Sequence, residues 1–474
     1  MNPYKNLFLT LLLQAGIILP ATAQVEVALM PEKEGPEQSA RYDVSVRPMD
    51  SPSWKSVPVL RCDVNTRRVQ QSAYAEFDMG SPVVVRVRSN EHDTYSPIVR
   101  PSARRIQTRR IDARTVEFTL TEPAYLSLEQ DCNREHNLHI LANALLAERH
   151  TADEPQTINW EAPNSQDVFI RNPRLIYFGP GVHRPKDLPG GDIKIPSNCT
   201  VYLAPGAVVK ARLIVDHAEN VRIVGRGILD HPLRGVEITY SKNVLVEGIT
   251  VLNPAHYTIF GGESEDIVIR DIKAFSARSW TDGIDLMCCR RVKVDNCFLR
   301  TSDDCIALYN HRWWYWGGTE DIDVGHCVFW PDVAHPVNIG SHGDDRNPEG
   351  ETLRQVRIHD CDILMGKEEG LLAINCGDNN HIGDVRFDRI RIEGIERGRL
   401  FDLRVLWSEK YNRAPGHCID NITFSDITVD APSAAVLRPS RIQSYDAEHT
   451  VGIVRFDRIL LGERPFNSVS DTEK

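Results

Sequence analysis

One phrase, repeated nine times between Asn220 and Ile459, restricts the fold more than any other feature of this chain. A polar residue opens every copy but the last, alternating apolar positions follow, and a second short strand closes it. It stands as Asn220-Val-Arg-Ile-Val-Gly, Asn243-Val-Leu-Val-Glu-Gly-Ile-Thr-Val and Asp266-Ile-Val-Ile-Arg-Asp-Ile. It returns at Arg291, Asp321, Gln355, Asp384, Asn421 and Ile453, the starts lying 23, 23, 25, 30, 34, 29, 37 and 32 residues apart. A step of 23 residues with two or three short strands suits one coil of a parallel β-helix. A coil cannot bury its apolar face alone, so neighbours must stack and pair along an axis, with excess length in outer loops. Propeller blades need about 40 to 50 residues and hairpin turns, and leucine-rich repeats need a Leu ladder. The chain shows neither.

Ahead of the repeat, short period-2 runs such as Val83-Val-Val-Arg-Val and Val116-Glu-Phe-Thr-Leu are broken by Pro, Gly, Asn and Asp. That rhythm predicts an antiparallel sandwich. The first residues carry Lys5, an apolar run from Leu7 to Pro20, and Ala21-Thr22-Ala23. This reads as a secretory signal cut before Gln24, and so as an exported protein, periplasmic or secreted. The plan is a signal at 1–23, a sandwich-like domain at 24–165 and the β-helix at 166–474. In class terms the chain is all-β, a right-handed parallel β-helix preceded by an N-terminal β-sandwich. Glycan binding, capping of the first coil and assistance in export are the candidate roles of the sandwich; a cap over the open end, where unpaired backbone needs cover, is the modest expectation. No later stretch is long and apolar enough to span a membrane. A net charge of −11 excludes a general nucleic-acid binder. Among the 11 cysteines, Cys297, Cys327 and Cys361 recur at matching repeat positions and read as small core residues. Cys288-Cys289 has no second pair at zinc spacing.

The chemistry concentrates in two neighbouring coils. Thr281-Asp282-Gly283-Ile284-Asp285 is followed by Ser302-Asp303-Asp304-Cys305, with Asp282 and Asp303 21 residues apart. That is close to one turn, and residues one repeat apart stack at a strand spacing of about 4.8 Å. Three carboxylates gathered in this way repel one another, so their presence points to work rather than stability. Glycosidic cleavage is the natural use: one carboxyl protonates the leaving oxygen while another, ionised, draws a proton from water. Turn capping and a hard-cation site are the competing readings of the same cluster.

With these elements in order, the chain resembles the polygalacturonase-like glycosidases of glycoside hydrolase family 28 and the related dextranase and isopullulanase family 49. The resemblance rests on Thr281-Asp282-Gly283-Ile284-Asp285, on Asp303-Asp304-Cys305 and on His335-Pro336-Val337-Asn338-Ile339-Gly340-Ser341, and runs from about Arg174 to Ile459. A sandwich ahead of the solenoid resembles the dextranase layout. The resemblance implies inverting hydrolysis without cofactor or metal. It makes Asp303 the general acid and gives Asp282 and Asp304 the water. His335 would tune the acid or hold substrate, and Asp285 and His342 would belong to the substrate site.

Two departures bear on the substrate. The Arg-Ile-Lys element that meets galacturonate in family 28 is replaced here by the stretch Gly370-Leu371-Leu372-Ala373-Ile374-Asn375. Loss of both charges predicts a neutral or weakly acidic sugar, unless other residues hold an acidic one. Arg404, one coil later, could substitute for them, although a surface arginine is the safer reading. The Asn that precedes Thr-Asp in the family is Trp280, and His311-Arg-Trp313-Trp314-Tyr-Trp316 follows the Asp pair. Trp280, Trp313, Trp314 and Trp316 are therefore candidate sugar-stacking residues. The expected partner is a polysaccharide or oligosaccharide. A polysaccharide lyase and a non-catalytic glycan-binding β-helix are the alternatives.

Overall fold

The computed structural model describes residues 24–31, 33–131, 133–160, 172–185 and 191–466; the signal lies outside them, as does Cys132. Residues 25–144 form two facing sheets. A six-stranded sheet holds Val59–Val64, Gln70–Met79, Pro97–Arg100, Ala124–Gln130 and Asn133–Ala144 with the edge strand Val25–Glu26. A five-stranded sheet is centred on Tyr42–Pro48, Val83–Ser89 and Thr115–Leu120. Alternation does the folding: in Val83–Ser89, Val83, Val85 and Val87 turn inward and are buried. Pairing is antiparallel except between Gln70–Met79 and Asn133–Ala144, which run parallel.

From Thr157–Asn159 onward the chain is a parallel β-helix, so the solenoid sheet begins before residue 166, inside the segment assigned to the sandwich-like domain. Each coil carries three strands. One ladder runs through Thr200–Leu203, Lys242–Glu247, Arg290–Asp295 and Thr352–His359, and a second through Ile228–Asp230, Lys273–Phe275 and Phe298–Thr301. The third runs through Ile259–Gly262, Ile284–Met287, Ile306–Tyr309, Val337–Gly340, Gly366–Cys376 and Ile395–Val405. The interior is a continuous column of Ile, Val, Leu and Cys.

The repeated polar residue has a backbone cause. Asn220, Asn243, Asp266, Arg291, Asp321, Gln355, Asp384 and Asn421 all adopt the left-handed conformation, with φ between 53° and 58°. Short amide and carboxylate side chains tolerate that region best. The column also bonds to itself: Asn243 Nδ2 donates to Asn220 Oδ1 at 2.7 Å, and Asn220 Nδ2 to Asn198 Oδ1 at 2.9 Å. Cys297, Cys327 and Cys361 are fully buried in the stacked core, as expected, and all the described cysteines are unpaired.

The sandwich does not sit on the end of the solenoid. It lies lengthwise along the second ladder, where Leu60, Val64, Tyr74, Tyr125 and Leu141 pack on Ile228, Leu252, Phe275, Phe298, Val328 and Trp330. The physical reason is in the second-ladder strands, which are apolar on both faces; their outward row must be covered along several coils. Buried ion pairs fix the docking: Lys273 Nζ lies 2.9 Å from Glu76, and Arg226 Nε 2.9 Å from Asp78. Arg300, 1% exposed, reaches Asn137 Oδ1 at 2.8 Å and His139 Nε2 at 2.9 Å.

Candidate active site

The turns between the second and third ladders carry the acidic motifs. Ile284 pairs with Ile306, so Asp304 is the register partner of Asp282, and Asp303 is the residue just before it. The backbone ladder continues through the turns: Gly283 N donates to Asp304 O at 2.8 Å, and Cys305 N to His335 O at 2.9 Å. Gly283 is obligatory, since a Cβ there would meet the Cys305 carbonyl oxygen at 2.3 Å. Below the acids, Thr281 Oγ1 and Ser302 Oγ are hydrogen-bonded at 2.7 Å. One oxygen from each of Asp282, Asp303 and Asp304 lies within 4.8 Å of the other two. The trio expected from repeat spacing is thus assembled, in the wall of a groove of about 1060 Å³.

Asp304 is the most firmly held of the three. Its Oδ1 accepts from the His335 backbone N–H at 2.9 Å and ring Nδ1 at 2.7 Å, and its Oδ2 accepts from Asn338 Nδ2 at 2.9 Å. From there a polar chain follows the coils: Asn375 Nδ2 donates to Asn338 Oδ1 at 3.2 Å, and Arg404 Nη2 to Asn375 Oδ1 at 3.0 Å. Arg404 also faces Asp402 at 3.3 Å. It therefore lines the groove rather than the outer surface, because Arg404 is in register with Asn375 on the third ladder.

Burial first, and then the charge of Asp304, pushes the Asp303 carboxyl up to about 6. Burial, followed by the charges of Asp285, Asp303 and Asp304, pushes Asp282 well above the carboxylate range. Asp285 is fully buried behind Asp282, outside the groove wall, and burial raises it too against the opposing charge of Arg312, whose Nη1 lies 3.9 Å away. Like charges this close oppose one another's ionisation, and the Arg312 guanidinium is the counter-charge that faces the Asp282–Asp285 pair. The three carboxylates also come near enough to meet one hard cation. Such a cation takes six to eight oxygens, and both oxygens of Asp304 already accept N–H groups.

Residues 196–442, a little over half of the chain, match the family described as Glycosyl hydrolases family 28. The chain belongs to glycoside hydrolase family 28. The polygalacturonase of Chamaecyparis obtusa is 32% identical over 114 residues, 24% of this chain and 20% of that protein. The probable endopolygalacturonase D of Neosartorya fischeri is 23% identical over 224 residues, 46% of this chain and 42% of that protein. This chain thus spans less than half the length of either relative. Among solved structures, Dex49A from Penicillium minioluteum superposes with a TM-score of 0.54 at 14% identity, covering 91% of this chain and 96% of its own. The family 28 exopolygalacturonase of Yersinia enterocolitica gives 0.53 at 13% identity, covering 80% and 90%. At such identities the two structures share the fold alone.

In this family 28 chain the aromatic residues divide. Trp280 stands at the groove, 69% exposed and in the left-handed conformation at φ 59°. Trp313, Trp314 and Trp316 do not line it. Their loop folds into a tight hairpin through the Arg312–Tyr315 bridge, with Glu351 accepting from His311 N at 2.8 Å and Gly317 N at 2.7 Å. Trp313 then stacks on Tyr257, and Trp316 on His311 at 3.5 Å. What the loop presents to the groove is Arg312. His342 is in the groove wall, edge-on to Tyr309, and burial with the charge of Arg312 pushes it down to about 3, so it is neutral. Sequence reasoning missed Asn338 and Asn375 as groove residues, although both are the outward alternates of third-ladder strands. It also missed Trp407, Lys410 and Tyr411, which sit on a loop with no repeat signature.

Proposed function

We propose that this glycoside hydrolase is an exported, inverting enzyme acting on a polysaccharide or oligosaccharide. The observation that carries the reading is the asymmetry within the carboxylate trio. Asp303, raised to about 6 and less buried than Asp282 and Asp304, delivers a proton to the leaving glycosidic oxygen. Asp304, aligned by His335 and Asn338, and Asp282 hold and deprotonate the attacking water on the other face of the sugar. His335 acts through Asp304, as a positioning residue. Product leaves as the inverted anomer because water, not a carboxylate, attacks the anomeric carbon.

In the stretch Gly370–Asn375 the family's Arg and Lys are absent; Asn375 lines the groove and the Arg404 guanidinium reaches it. That supports a neutral or weakly acidic sugar at the cleavage point. Trp280 and the exposed rings of Trp407 and Tyr411 offer faces for sugar C–H stacking. Export rests on the Lys5, apolar and Ala21-Thr22-Ala23 pattern, and N-terminal sequencing of the mature protein, starting at Gln24, checks it.

The deciding experiment incubates the protein with neutral and acidic oligosaccharides and follows the released anomer by NMR. Inverted product from a neutral or mixed chain supports the reading; retained configuration refutes it. An unsaturated, chelator-sensitive product would instead favour a lyase.

A further inference from the structure

A second cluster of ligand-type side chains lies outside the groove wall, at the corner between the first and second ladders. His326 follows the first-ladder strand Thr319–Gly325, and Asp360 follows Thr352–His359 one coil on. Both take the same left-handed corner position, at φ 55° and 54°, and His326 N donates to His359 O at 3.2 Å. His359, the residue before that corner, is in register with Gly325. A Cβ at Gly325 would meet His359 Cε1 at 2.6 Å and Nε2 at 2.8 Å, so the missing side chain lets the ring lie back over the preceding coil. The two imidazoles then meet edge to face, with centroids 5.4 Å apart. One ligand atom from each of His326, His359 and Asp360 lies within 4.8 Å of the other two.

Each of these three groups is held from behind. His326 Nδ1 lies 2.8 Å from Asp295 Oδ1, which leaves its Nε2 for a ligand. His359 stands between two carboxylates, with Nδ1 2.7 Å from Asp360 Oδ2 and Nε2 3.3 Å from Asp323 Oδ1. Arg389 clamps Asp360, donating from Nε at 2.6 Å and Nη2 at 2.7 Å, and holds its carboxyl well below the usual range. The remaining charges nearby are turned elsewhere or stand farther off: Arg357, in register with Asp323, faces Asp388 at 3.8 Å, and Lys293 is 3.7 Å from Asp295. Imidazoles backed by carboxylates, beside a carboxylate backed by a guanidinium, are the supporting contacts that orient metal ligands. Two imidazoles with one carboxylate suit a borderline transition ion such as Zn2+ and are too poor in oxygen for Ca2+ or Mg2+.

We infer that His326, His359 and Asp360 form a binding site for one divalent transition-metal ion, which ties two successive coils together at their outer corner. The ion takes the Nδ1 lone pair of His359 and releases to solvent the proton shared there with Asp360. The Nε2–H of His359 then donates to Asp323, as the Nδ1–H of His326 does to Asp295.

The test titrates the full chain with Zn2+ calorimetrically, with Ca2+ as the control. One Zn2+ per chain is expected, and no competition from Ca2+. His326→Ala and His359→Ala should each weaken Zn2+ binding by about 100-fold, and Asp323→Asn by about 10-fold. Gly325→Ala removes no donor but displaces the His359 ring, and should also weaken binding by about 10-fold. Zn2+ should raise the melting temperature of the parent and leave that of His326→Ala unchanged. His326 is exposed, so its substitution keeps the fold, which metal-free melting checks. Absence of saturable Zn2+ binding overturns the inference, as does binding that survives both histidine substitutions. Binding abolished by Asp303→Asn would place the ion in the groove and overturn it as well.

Discussion

The two outer faces of the same coils treat buried charge in opposite ways. On the face under the sandwich, Lys273 meets Glu76, Arg226 meets Asp78 and Arg300 faces Asp332. Each buried cation has a carboxylate opposite it. Three residues beyond Arg300, at the groove, Asp303 and Asp304 stand beside Asp282, with one oxygen of each within 4.8 Å of the other two. Complementary burial joins two domains in one geometry. Burial against like charge raises a carboxyl until it holds a proton that chemistry can use.

The groove side breaks most sharply. Asp303→Asn is expected to lower kcat by about 1000-fold or more while the melting temperature holds within a few degrees, since general acid catalysis is lost and a strained charge relieved. Unchanged turnover would remove Asp303 from the mechanism. On the covered side, Lys273→Met strands Glu76 and should cost about 3–5 kcal/mol in denaturant unfolding. The double variant with Glu76→Leu should regain most of that; failure to recover would mean that the pair is not what joins the domains.

The pH dependence sharpens the same contrast. Asp303 has a folded-state pKa of about 6, above the ordinary Asp value near 3.9. The stability it contributes is therefore complete below about pH 4 and is lost as pH rises through 6. Asp303→Asn cannot ionise, so its melting temperature relative to the parent should climb between pH 4 and 7; a flat difference would contradict the raised carboxyl. The kcat/KM profile of the parent should fall on the alkaline side near the same pH.

The smallest effects separate the aromatics. Trp280→Ala should raise KM several-fold with kcat little changed, as expected for a residue that binds substrate without acting on its bonds. Trp314→Ala, away from the groove wall, should change kcat/KM less than twofold. Equal losses in both would return the hairpin of Trp313, Trp314 and Trp316 to the substrate site.

The repeat was legible because its cause is local. Every coil needs a left-handed corner and inward apolar alternates, and both leave a residue signature, as at Asn243 and Asp266. The trio was legible for the same reason: its members are one register step apart, and counting residues is enough to stack them. Arg404 was misread because its role depends on a partner three strands from Asp304, reached only through Asn338 and Asn375. The tryptophan loop was misread because a hairpin closed by Glu351 turns its rings away and its arginine inward. Nor does any local pattern tell where one domain docks on another.

The amino-acid order by itself thus determined the solenoid, the sandwich rhythm and the stacking of Asp282 with Asp303 and Asp304, because backbone conformation and strand periodicity act over a few residues. Tertiary structure alone decided that the sandwich lies along the coils. It likewise decided which of the polar residues share the groove. Those outcomes come from burying one apolar face against another and matching charges far apart in the chain, and no short window of sequence contains both partners.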